Sequence, residues 1–221
     1  MLVSSQKIRL TKAIKFIKMA SDMITTEELL EKLRGTNLDS YNEESTDKVF
    51  AGRRQFYFNS YLYILSHLKA QKGNLNPEST MVAICLIYSW MPRVPHKVVI
   101  KDNDVIKLLN KAYHSTYENK LSEQEIETIQ FSINNSMVGT SKILHFINPN
   151  VYPMWDSNIA KIVKSEKDKS EKEVLNYLNY QNACLKLSDD DCNECIKNFN
   201  SEKFNGLSKL RKIDMALFSL K

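Results

Sequence analysis

The sequence predicts an all-α protein, and three observations carry that prediction. Apolar residues recur at three- and four-residue intervals along most of the chain, glycine and proline number only five each, and period-two alternation is nearly absent. A first helix is expected over Ile8 to Met19 and a second over Glu27 to Leu33. The polar stretch Arg34 to Asp47 then reads as a loop, dividing an N-terminal helical section (1–46) from the main body (47–221). In the body, Phe50 to Leu68 carries one helical stripe, Tyr57, Tyr61, Ile64, Leu65 and Leu68, whose ordinary use is packing. Pro77 suits the start of the next helix, which runs to Trp90. Lys97 to Ile100 is too short for a sheet of its own and is expected as an extended connector. Helices follow at Val105 to Tyr113, Glu123 to Asn134, Ser141 to Ile147, Ile159 to Val163, Val174 to Leu187, Cys192 to Phe199 and Leu207 to Leu220.

Composition narrows the function classes. With 43% hydrophobic and 26% charged residues, the 221-residue chain has enough apolar surface for one sizeable core. Its longest apolar runs, such as Met81 to Met91, fall short of the roughly 20 residues a membrane span needs. No signal-peptide pattern opens the sequence, so a cytoplasmic protein with no membrane partner is expected. A net charge of +5 permits a polyanionic partner without demanding one. Of the four cysteines, Cys192 and Cys195 have the spacing of a metal knuckle. Cys85 lies in an apolar run and reads as a buried thiol, and no histidine falls near the others. The ligand count therefore fails, and neither metal nor other cofactor is expected.

The most informative stretch runs from Met137 to Lys161, where Asp156 is the lone acid. Two helices joined by residues 135–140 form a hairpin, with Gly139 placed for a positive φ or a close backbone approach. Such a hairpin aims backbone N–H groups and a helix N-terminus at one point, a way to hold a DNA phosphate without reading bases. Pro149 stops the second helix. Pro153 biases Tyr152 away from helix, so 151–155 is extended, and Asp156-Ser157-Asn158 opens the next helix. Asp156 is thus an N-cap, a catalyst, or both.

Val138-Gly139 in a hairpin, followed by a helix, a proline, an apolar residue, an aspartate and another helix, resembles the helix-hairpin-helix DNA glycosylase superfamily. The segment Pro153-Met154-Trp155-Asp156-Ser157-Asn158-Ile159-Ala160-Lys161 is similar to that family's second motif, with one extra residue before the aspartate and lysine in place of arginine. Ser141 to Pro149 and Leu210 to Leu217 look most like the 8-oxoguanine-glycosylase-like bacterial branch. The specific agreement covers some 35 residues. The resemblance implies two helical lobes with the acid at the base of the cleft between them. It also implies excision of a damaged or modified base from duplex DNA, with Asp156 activating a nucleophile or stabilising the positive charge on the sugar. C–N cleavage makes that chemistry reasonable for one carboxylate in a site of low dielectric.

Family members that also nick the strand carry a lysine two residues after the hairpin glycine. That position is Ser141 here, and Lys142 lies one helical step of about 100° further on. Lys142 is therefore a candidate Schiff-base nucleophile or a phosphate contact, and turning it inward is expected to expose Ile143 or Leu144. The water route with Asp156 is preferred on that ground. Phosphate holding falls to Gly139, Thr140, Ser141, Lys161 and Lys164, and an extruded base would be received by Trp155 and Tyr152. A monomer acting on DNA is expected. A non-catalytic DNA-binding protein of the same fold and a helical protein-interaction module remain as alternatives.

Overall fold

The computed structural model describes residues 24–38, 53–91, 95–100, 103–163 and 173–220. The expected helix over Ile8 to Met19 and the candidate Lys164 lie outside them. The described residues are mostly helical, with ten α-helices and a single two-stranded pairing. In chain order the helices are α1 (Thr26–Leu33), α2 (Arg53–Ala70), α3 (Pro77–Trp90), α4 (Asn103–Tyr113), α5 (Glu123–Ser132), α6 (Met137–Ile147), α7 (Ser157–Val163), α8 (Glu173–Lys186), α9 (Asp189–Cys195) and α10 (Lys209–Phe218). Among the described residues none is long and apolar enough to cross a membrane.

Helix starts follow local chemistry. Thr25 with Glu28, Asn76 with Ser79, Ser122 with Glu125 and Ser188 with Asp191 each form a reciprocal capping box, satisfying orphan N–H groups at α1, α3, α5 and α9. Pro77 occupies the first turn of α3, as expected. Residues 97–100 are extended. They bridge the end of α5, where Val99 N–H donates to Ser132 O at 2.8 Å and Asn134 N–H to Lys97 O at 2.7 Å. The last part of the expected helix Cys192 to Phe199 differs, because Ile196–Lys197 forms strand β2 and pairs in parallel with β1 (Thr36–Asn37).

Packing sorts the helices by neighbour. Helix α6 is surrounded by α2, α3, α4 and α5, whereas α1 packs on α8, α9 and α10, and α10 also packs on α7. The described part of the N-terminal section therefore docks on the C-terminal helices. Helix α6 is buried on nearly every side, through Met137, Gly139, Thr140, Ser141 and the whole run Ile143 to Ile147. On α3, Ala83, Ile84, Ile87 and Tyr88 face the core, which leaves Cys85 on the opposite side of the helix. That thiol is exposed, correcting its expected burial.

Candidate active site

The segment between α6 and α7 is held from both sides. Helix α6 ends at Asn148, whose side-chain amide donates to the carbonyls of Ala112, Tyr113 and Ser115. From α8, Gln181 donates to Val151 O at 2.9 Å and Tyr177 Oη to Pro153 O at 3.2 Å. From α6, Ser141 Oγ accepts the Trp155 N–H at 2.9 Å, and His145 Nδ1 lies 2.7 Å from Tyr152 O. Burial, reinforced by Arg211, pushes His145 down to about 3, so the ring is neutral. Its Nδ1–H then donates to Tyr152 O, and Nε2 accepts the Tyr61 hydroxyl at 2.9 Å.

This scaffold delivers Asp156 to the start of α7. Its Oδ1 accepts the N–H groups of Asn158 at 2.8 Å and Ile159 at 2.9 Å, the N-cap geometry expected from the sequence. Both bonds fall on one oxygen. The second, Oδ2, accepts no hydrogen bond among the described residues, and the side chain is half-buried. A carboxylate fixed through one oxygen with the other available is positioned to face a developing positive charge.

Lys142 joins the same neighbourhood. Its Nζ lies 5.6 Å from the centroid of the half-buried Trp90 ring, while Ile143 and Leu144 stay buried at 1% and 0%. The expected conflict between Lys142 and its apolar neighbours does not arise, because α6 is covered on most of its circumference by α2, α3, α4 and α5, so that Ile143 and Leu144 meet other elements while Lys142 stays half-buried. Arg211, on α10, also stacks on the Trp90 ring, at 5.6 Å from its centroid, and lies 5.0 Å from the Tyr61 ring centroid. Its Nη1 donates to Asp214 Oδ2 and contacts Met154 Sδ at 3.5 Å, two residues before Asp156. Asp214 is buried. Desolvation pushes its carboxyl up to about 6, with Arg211 opposing that rise, Asp156 adding to it and Lys142 opposing it. The two expected catalytic residues, Asp156 and Lys142, thus meet around an Arg211–Asp214 pair that sequence reading passed over.

Other expected site residues have different places. Gly139 is not in the turn but in the first turn of α6, where its N–H donates to the Ser136 cap. The reversal lies upstream, at Asn134 (φ 61°) and Asn135 (φ 46°). Gly139 is needed for close approach, since a Cβ there would sit 2.2 Å from Tyr88 Oη. Thr140 and Ser141 have no exposed surface, so their hydroxyls face the interior rather than a phosphate. Trp155 and Tyr152 are likewise core residues at 0% exposure. Trp155 packs on Tyr177 and Tyr180 and donates to Glu173, and Tyr152 Oη donates to Ser115 while accepting the Leu121 N–H. Neither ring has a free face for a base as the chain stands, which corrects the expected pocket. Lys161 is exposed on α7.

Arg211 and Asp214 left a faint signal in the sequence. Asp214 interrupts the apolar run Ile213-Asp214-Met215-Ala216-Leu217, and a charge there needs a partner three or four residues away.

No known protein family, curated protein or solved structure matches the chain.

Proposed function

We propose that the protein is a DNA glycosylase that excises a damaged or modified base by cleaving its C–N bond to the sugar. The observation that carries this reading is the arrangement of Asp156, fixed by Oδ1 at a helix start with Oδ2 available, and of Lys142 on the half-buried Trp90 ring, both close enough to the buried Asp214 for their charges to act on it. Departure of the base builds positive charge on the sugar, and a preorganised anion stabilises that charge more than it does the ground state. The grouping of α2 to α5 around α6 and of α1 on α8, α9 and α10, joined by the packing of α5 on α8, is compatible with two adjoining lobes, and Asp156 follows α6 in the chain and opens α7 against α10. Lys142 is in place to serve either as nucleophile or as a cation near the backbone.

The decisive experiment incubates the protein with duplexes that each carry one altered base, followed by alkali. Strand breaks at the altered base are expected for at least one duplex, and their absence from a wide panel removes the catalytic reading. Duplex binding without breaks would leave the DNA-binding alternative.

A further inference from the structure

Heterolysis of a glycosidic bond makes two charges, and Asp156 answers only the positive one. We propose that Arg211 is the group that answers the other, acting as the catalytic cation against which the leaving base develops its negative charge. This rests on the excision reading given above.

The geometry for it is specific. Arg211 is fixed rather than floating, with a side chain only 14% exposed, a carboxylate on Nη1 and the rings of Tyr61 and Trp90 at 5.0 and 5.6 Å from its central carbon. A guanidinium carries five donor hydrogens. Those on Nη1 are directed to Asp214 and Met154, while Nε and Nη2 have no acceptor among the described residues. The open edge of the fork is therefore the part left for a ligand. Arg211 and Lys142 both lie 5.6 Å from the Trp90 ring centroid, and through Nη1 the guanidinium touches Met154, two residues before Asp156. Asp214 holds the fork in place through Nη1. Preorganised donors of this kind act without reorganising when charge develops, which a lone flexible lysine does less well.

In the proposed step the C1′–N bond breaks and its electron pair stays on the base nitrogen. Asp156 faces the electron-poor sugar, and the acceptor atoms of the departing anion take hydrogen bonds from Nε and Nη2 of Arg211. Water or the Lys142 amine then supplies the electron pair to C1′, and the proton it releases ends on the base. Arg211 keeps its protons throughout. A base that is already cationic leaves as a neutral molecule and gains nothing from this arrangement.

The test compares single-turnover excision of uracil, 5-fluorouracil, 8-oxoguanine and the cationic N7-methylguanine from otherwise identical duplexes. The variants are Arg211→Lys and the double Arg211→Ala/Asp214→Asn, the second removing both members of the buried pair so that no unpaired charge is stranded. Losses of about 100-fold are expected for uracil and 8-oxoguanine, smaller ones for 5-fluorouracil, whose anion is more stable, and under about threefold for N7-methylguanine. Millimolar guanidinium should return about tenfold or more of the lost rate in the double variant, which repair of folding alone would not do. Equal losses on all excised bases in variants with native melting behaviour, or no response to guanidinium, overturn the proposal. A wild-type protein that excises only N7-methylguanine overturns it too, while leaving the glycosylase reading intact. If the wild-type protein excises no base in any duplex, the glycosylase reading itself falls and takes this proposal with it.

Discussion

A single substitution separates the cap that Asp156 makes from the catalytic role proposed for it. Asparagine keeps the cap, because its side-chain oxygen accepts the Asn158 and Ile159 N–H groups as the carboxylate does, but it removes the charge. Asp156→Asn should therefore melt within a degree or two of the wild-type protein and bind duplex equally well, while excision falls about 100-fold or more. A variant that retains its excision rate would show that the carboxylate only caps. Lys142 poses the second residue-scale question. Its ammonium lies on the Trp90 ring rather than out in solvent. That placement weakens the ground on which sequence reading preferred water. If the amine attacks C1′, borohydride should trap a covalent protein–DNA adduct that Lys142→Ala abolishes. If water attacks, no adduct forms and Lys142→Ala chiefly lowers the salt dependence of binding, by about one phosphate contact.

At the scale of the element, α6 explains which features were legible in the sequence. Its apolar period and the Pro149 stop gave the helix, but its start was placed four residues too late because Gly139 was read as a turn residue. In α6 the glycine answers the oxygen of Tyr88, a residue some fifty positions away, and no local pattern reports such a contact. Gly139→Ala should thus destabilise the fold by about 1–3 kcal/mol in urea denaturation, although alanine is the better helix former. Adding Tyr88→Phe should recover part of that loss. A neutral or stabilising Gly139→Ala would mean that the Tyr88 ring swings away at little cost. The same distinction accounts for the site. Asp156 was legible because capping is local, whereas Trp90 meets Lys142 and the Arg211–Asp214 pair of α10 only through the packing of α3, α6 and α10. Trp155 and Tyr152 failed as pocket residues for the converse reason. Their neighbourhood to the acid in sequence was real, yet successive residues of an extended segment point to opposite sides, so Trp155 turns away from Asp156 onto Tyr177 and Tyr180 of α8, while Tyr152 is tied to Ser115 and Leu121.

For the whole molecule, two buried groups give stability opposing responses to pH. Asp214 has a folded-state value raised to about 6 against an ordinary value of 3.8, so its protonated form favours folding below about pH 4 and that contribution is lost as pH rises through about 6. His145, lowered to about 3 from 6.5, contributes stability above about pH 6.5 that is lost as pH falls toward 3. Between about pH 4 and pH 6 the two offset each other. Asp214→Asn should remove one side of that balance, so that the variant gains stability relative to the wild-type protein as pH rises from about 4 to about 7, by an amount of the order of a few kcal/mol. Chemical denaturation at those two pH values measures it, and a parallel change in both proteins would contradict the desolvation of Asp214. Architecture at this scale also sets an order of events. The short parallel pairing of Thr36–Asn37 with Ile196–Lys197 is backed by a bond from Gly35 N–H to Cys195 O and by one between Asn198 and Asn37, partners 161 positions apart. Closing so long a loop yields few contacts until α8 to α10 exist to receive α1. During synthesis, then, Leu29 and Leu33 of α1 must wait uncovered until α8 to α10 have followed.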